Sequence, residues 1–159
     1  NGIVGPEQPD TGEATRGLFD TVLTYSPMEN LEFNLNYDYA QEGRAGLDGG
    51  DATWQGLAGI VSIGGALFDP GWEPFSLAVR GEWFSDQDGA RTGTAQDLWE
   101  VTTTAKWQLT QHVQLRLEYR HDGSSDRVFE QDTRRIGDDL VPRFQRGQDS
   151  LAGEVAYLF

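Results

Sequence analysis

Eleven ionisable side chains sit inside runs that otherwise alternate with apolar residues: Asp20, Glu32, Asp38, Arg80, Glu82, Glu100, Lys106, Arg116, Glu118, Arg120 and Glu154. Carboxylates and cations at alternate positions of extended segments hold water and ions along a surface and present fixed charge to whatever passes it. Denser constellations carry less. "HDGSSD" (121–126) contains a His, an Asp and a Ser. A nucleophilic triad is assembled from separate elements, and neighbours in one loop rarely reach that geometry. "SDQDG" (85–89) and "LDGGD" (47–51) put carboxylates beside glycine without the full spacing of a Ca²⁺ loop, so they read as ordinary turn chemistry. His112 lies in a tight turn with no evident partner. No catalytic residue, cofactor or metal is expected, and the chain does not read as an enzyme.

Composition narrows the classes further. With 26 acidic and 12 basic residues the net charge is −14, so there is no basic patch to neutralise phosphates and nucleic acid is excluded as a partner. Cysteine is absent, which removes disulfides, thiolate chemistry and Cys-based metal sites. No run approaches the ~18 apolar residues that a membrane-spanning helix needs. No secretory signal is visible and Asn1 is not an initiator Met, so a mature form or a piece of a longer chain is expected. Twenty glycines and 11 % aromatics point to an all-β protein with many turns.

The elements that must position the charges are strands. "GLFDTVLTY" (17–25) puts Phe19, Thr21, Leu23 and Tyr25 on one face and Asp20 and Thr24 on the other. "LEFNLNYDY" (31–39) sets Leu31, Phe33, Leu35, Tyr37 and Tyr39 against Glu32, Asn34, Asn36 and Asp38. Further strands are expected at 53–63, 75–85, 98–109, 113–122 and 149–159, seven in all, with no helix. In 53–63 the favoured phase turns Leu57, Val61 and Ile63 to the apolar side and Gly56 and Ala58 to the other. The connections "SPMEN" and "TQH" are short and "GGALFDPGWEP" is of middling length, whereas 41–52, 86–97 and 123–148 are long and polar. Short turns at one end and long loops at the other describe an antiparallel up-and-down meander. Residues 1–16 fall on the long-loop side as a loop segment, and 17–159 form the barrel portion.

Alternation alone does not say which face is dry. The placement of rings decides it. On the apolar face Tyr25, Phe75, Trp107, Tyr157 and Phe159 fall near the short turns, and Phe19, Tyr37, Tyr39, Trp83, Trp99 and Tyr119 toward the long loops. Leu, Val, Thr, Ala and Gly lie between. Phe75 to Trp83 and Trp99 to Trp107 are each eight residues apart, roughly 20 Å along the axis of a tilted barrel. That approaches the ~25 Å apolar band, flanked by aromatic girdles, of an outer-membrane barrel. A soluble core would favour its bulkiest rings mid-strand. The expected fold is therefore a transmembrane β-barrel with its charged face toward a water-filled interior.

Specific strings add to this. "FSLAVRGEWFSDQDGARTGT", "LWEVTTTAKWQLTQHVQLRLEYRHDGSSDRVF" and "QDSLAGEVAYLF" resemble the carboxy-terminal half of the OmpL-like β-barrel porins of Gram-negative bacteria, as do "NLEFNLNYDYAQEG" and "ATWQGLAGIVS". "SIGGALFDPGWEP" departs from the resemblance, where a tighter turn is expected. The resemblance implies a multi-pass protein of the bacterial outer membrane, in contact with lipid and lipopolysaccharide. It implies a channel for passive diffusion of small hydrophilic solutes, and no catalytic residues. It also implies that Val155, Tyr157 and Phe159 form the face read by the barrel-assembly machinery. The alternative is a non-conducting structural or adhesive barrel whose extracellular loops bind a partner.

Three expectations follow. Seven acids and four bases on the charged face form either a hydrated wall with scattered ion pairs or, because acids outnumber bases and the long loops add negative charge, a weakly cation-preferring path. The 123–148 loop carries five arginines and either folds inward as a constriction or stands at the surface with a hairpin extension. Seven strands would leave the first and last running the same way, so closure would need a parallel seam. On that count the chain lacks an odd number of upstream strands, supplied by further sequence or by a partner chain.

Overall fold

The structure, a computed structural model, describes residues 1–6, 15–136 and 139–159. Ten strands run in chain order: β1 (Gly2–Pro6), β2 (Thr15–Met28), β3 (Leu31–Glu42), β4 (Ala52–Gly64), β5 (Phe75–Asp86), β6 (Gln96–Gln108), β7 (Val113–Ser124), β8 (Phe129–Ile136), β9 (Asp139–Gln145) and β10 (Gly147–Tyr157). Eight form one antiparallel sheet in the order β1-β2-β3-β4-β5-β6-β7-β10. The other two, β8 and β9, pair as a separate hairpin between β7 and β10.

All seven expected strands form, most of them longer than the alternating cores that announce them. β2 runs on through Ser26, Pro27 and Met28, leaving Glu29 and Asn30 as the turn, with Asn30 at φ 65°. The ladder slips between Tyr25 and Met28, where Pro27 has no N–H to donate. The "GGALFDPGWEP" connection, of middling length, contains two short 3₁₀ turns, Gly65–Leu67 and Pro70–Trp72, the second capped by Asp69 Oδ1 accepting from Gly71 N at 2.7 Å. A Cβ at Gly65 would sit 2.0 Å from the Trp72 carbonyl oxygen, so only glycine lets the chain close there.

Two readings from the sequence need correction. Gly2–Pro6, taken as loop, pairs with Thr15–Phe19 as an edge strand; only Ile3 and Val4 carry β propensity in this glycine- and proline-bounded piece, too short to show alternation. The remainder of that loop segment, 7–14, lies outside the described residues. The main sheet thus has eight strands rather than seven, and its edges, β1 and β10, run in opposite directions. The parallel seam, and with it the odd number of missing strands, no longer follows. The 123–148 loop is built as the β8–β9 hairpin, the extension that was one of its two expected forms.

The sheet is a single layer and is not closed on itself. Among the described residues the only buried hydrophobic side chains are Ala40, Ala52 and Trp54. A β-sandwich would bury the apolar face of each sheet against the other, whereas here Leu117, Leu151 and Val155 are 55 %, 72 % and 75 % exposed. Among the described residues no second layer covers the apolar face.

Candidate functional site: the polar face of the sheet

Directly paired residues on neighbouring strands share a face, so the register fixes which side chains stand together. The rows Glu32–Ser62–Ala78–Thr104–Glu118–Ala152 and Glu82–Glu100–Asp122–Gln148 cross successive strands on one face. Arg80–Thr102–Arg120 and Lys106–Arg116–Glu154 share that face, as do Asp20 and Asp38, paired across β2 and β3. All eleven expected positions therefore lie on one side. The same register puts Leu57 with Tyr37 and Trp83, and Ala58 with Asn36 and Glu82, which is the favoured phase of β4. Arg16, Glu42, Asp86 and Asp122 join the polar face at its long-connection end; Arg16, Glu42 and Asp86 lie just beyond the expected strand bounds, and Asp122, the last residue of its expected strand, was left out of the charged set.

Over β5, β6, β7 and β10 the charges interlock. Glu100, only 5 % exposed, accepts from Arg80 Nη1 at 2.5 Å, from Thr102 Oγ1 at 2.9 Å, and lies 3.2 Å from Arg120 Nε. Arg80 also pairs with Glu82, and Arg120 Nη2 reaches Asp122 Oδ1 at 2.6 Å. Arg116 pairs with Glu118 and lies 3.6 Å from Glu154, while Thr104 Oγ1 donates to Glu118 at 2.9 Å. Arg80, Arg116 and Arg120 each lie between two acids, so most of the charge in this half is offset locally.

The β2–β3 half differs. Asp20 accepts from Asn1 Nδ2 at 3.1 Å, Asp38 from Asn36 Nδ2 at 2.7 Å, and Glu32 from Asn34 Nδ2 at 2.7 Å. Amides and hydroxyls satisfy these carboxylates without cancelling their charge. The surplus of acid is therefore concentrated on one side of the polar face. A cavity of about 290 Å³ opens at the long-connection end, lined by Phe84, Leu98, Arg120, Asp122, Phe129 and Gln148.

The opposite face carries the rings in two rows. Phe75 stacks on Trp107 at 5.3 Å and Tyr25 on Phe33 at 6.5 Å near the short turns. Trp83 and Trp99 are direct partners toward the other end, and Trp99 lies over Gly123, where a Cβ would meet the indole at 2.1 Å. Val155 and Tyr157 lie on this face opposite Leu115 and Val113, and Tyr157 packs edge-on against Phe159 at 5.5 Å. His112 does have a partner: its Nδ1 lies 3.0 Å from the Leu158 carbonyl and its ring stacks on Tyr157 at 5.7 Å. The contact spans 46 residues, beyond the reach of local sequence.

The residues of the other motifs bond to separate partners. His121 and Asp122 point to opposite faces; His121 Nδ1 meets Asp149 at 2.7 Å, and Ser124 Oγ donates to Gln96 at 2.6 Å. Asp86, Asp88, Asp48 and Asp51 all accept from loop or strand N–H groups. No cluster of three potential metal ligands occurs among the described residues.

A family model described as "Putative beta-barrel porin-2, OmpL-like" matches residues 1–159, the whole chain. No curated protein and no solved structure matches it.

Proposed function

The chain belongs to the OmpL-like beta-barrel porin family, and from that premise we propose that it forms the wall of an outer-membrane channel for passive diffusion of small hydrophilic solutes. The family gives a porin-like role, and the two unlike faces of one sheet carry the rest of the reading. One face bears a hydrated network of carboxylates and guanidiniums; the other is apolar between two rows of aromatic rings. Charge on both sides of a strand is ruinous in hydrocarbon, so the ring-bordered face meets lipid and the charged face lines water. Flow needs no cofactor and no energy coupling. The acid surplus at Asp20, Asp38 and Glu32 supports a weak preference for cations. Reversal potentials across a planar bilayer test it: a shift toward the cation's equilibrium potential is expected, and a shift toward the anion's refutes it.

In lipid the outer edges of β1 and β10 must find partners, since each unpaired backbone group costs several kcal/mol. Because these edges run in opposite directions, an antiparallel barrel closes over them with an even number of further strands, from the same polypeptide or a partner chain. Native mass in detergent tests this: a species of the chain's own 17.6 kDa, alone and conducting, would contradict it. Val155 and Tyr157 on β10, with Phe159 just beyond its end and packed edge-on against Tyr157, present an aromatic and aliphatic surface suited to the barrel-assembly machinery.

A second reading has its own observation. The β8–β9 hairpin projects from the sheet with Leu140 and Phe144 exposed, a surface suited to a partner. In that case the barrel is an adhesive platform. Single-channel recording separates the two, because a platform with a blocked interior stays silent.

A further inference from the structure

On a wall that faces water, inward residues should be wet. Ala40, Ala52 and Trp54 are inward by register, yet they are 1 %, 0 % and 8 % exposed. Their cover comes from two connections as well as from the wall. Ala45, from the 43–51 connection, and Ala90, from the 87–95 connection, pack on the cluster beside Leu18 and Phe84.

Both connections are tied down. Asp86, an inward residue with no exposure, accepts from Arg91 N at 2.9 Å, Thr92 N at 2.8 Å and Thr92 Oγ1 at 2.9 Å, turning 87–95 back over the sheet. Asp88 accepts from Thr53 N at 2.8 Å, and its carbonyl accepts from Leu47 N at 3.0 Å, which binds the two connections together. Gly89, at φ 66°, leaves room for Leu47, whose Cδ1 would lie 2.4 Å from a Cβ there. Two guanidiniums lie over the Trp54 ring, Arg16 at 5.5 Å and Arg91 at 5.1 Å from its centroid. Arg16 also bonds Glu42 at 2.6 Å, so much of its charge is offset.

We infer that the 43–51 and 87–95 connections fold over the inner wall to form the narrowest section of the pore, with Arg91, held against Trp54, as its selectivity-determining charge. This rests on the channel reading above. A guanidinium on a narrow, partly dehydrated section acts on a passing ion far more than one on an open wall. Arg91 therefore opposes the cation preference set by the acids of β2 and β3.

The absence of cysteine gives a clean test. In the full chain, Ala52→Cys is exposed to a membrane-impermeant maleimide with and without Asp86→Ala, which releases the 87–95 connection. Labelling is expected to be slow in the native background and at least about tenfold faster on release, as local opening dictates. Equal rates would overturn the inference. Should Asp86→Ala fail to fold, Asp88→Ala, which removes the carboxylate that holds the 87–95 connection to Thr53 N and Oγ1 of β4, serves instead with the same two outcomes. In parallel, Arg91→Gln is expected to raise the cation-to-anion permeability ratio about twofold; an unchanged ratio would overturn its role. A labelling difference in a protein that never conducts would leave the folded-over connections standing and remove the channel reading, so the two failures are distinguishable.

Discussion

Arginine at position 79 and, separately, at position 78 puts the same side chain on the two faces of one strand. Val79 lies midway between Phe75 and Trp83, and its row partners are Val61 and Thr103. If the ring rows mark the interfaces, position 79 is at the bilayer midplane, where Arg on a barrel exterior costs about 2–4 kcal/mol. Ala78 faces the other way, between Ser62 and Thr104 in the row that carries Glu32 and Glu118. A hydrated cation beside those carboxylates costs or gains no more than about 1 kcal/mol. The expected gap of roughly 2–3 kcal/mol is about 30- to 150-fold in the folding equilibrium. Urea-driven unfolding from phosphocholine vesicles, followed by Trp fluorescence, measures it. A tolerated Val79→Arg beside a destabilised Ala78→Arg would reverse the faces and refute the reasoning.

Glu100→Gln should lower unfolding stability in the same assay by about 1–2 kcal/mol, because Arg80 and Arg120 lose their shared negative charge and one acceptor oxygen but keep Glu82 and Asp122; no change would mean that the network is not formed in the bilayer. Gly123→Ala forces the Trp99 indole to move and should cost about 1–3 kcal/mol, with a shift in Trp emission as the check. Asp20→Asn combined with Asp38→Asn should reduce the cation preference seen in reversal potentials, because among the described residues their carboxylates are bonded by the amides of Asn1 and Asn36 rather than by Arg or Lys; an unaltered potential would place them off the ion path.

Much of this architecture could be read from the sequence because a strand reports its two faces residue by residue. Charge at Arg80, Glu100 and Arg120 against rings at Phe75, Trp83 and Trp99 gave both the fold class and the orientation of the strands. Pairing was less legible. Arg80 stands directly opposite Thr102 but bonds Glu100, a diagonal choice that depends on register and side-chain reach. β1 escaped notice because five residues framed by glycine and proline carry no period. The Trp54 cluster escaped for a different reason. Ala40, Ala52, Trp54 and Phe84 break the polar phase near strand ends, and only the tertiary return of two connections turns those breaks into a buried patch. The His112–Leu158 contact was invisible for the same reason.

The central claim is that the charged face lines a water-filled path through a bilayer. Single-channel recording of the purified protein in a planar membrane under a potassium chloride gradient tests it most directly. The account predicts discrete conductance steps with a reversal potential displaced toward potassium. A folded, membrane-inserted protein that stays silent, or one that reverses toward chloride, would contradict it.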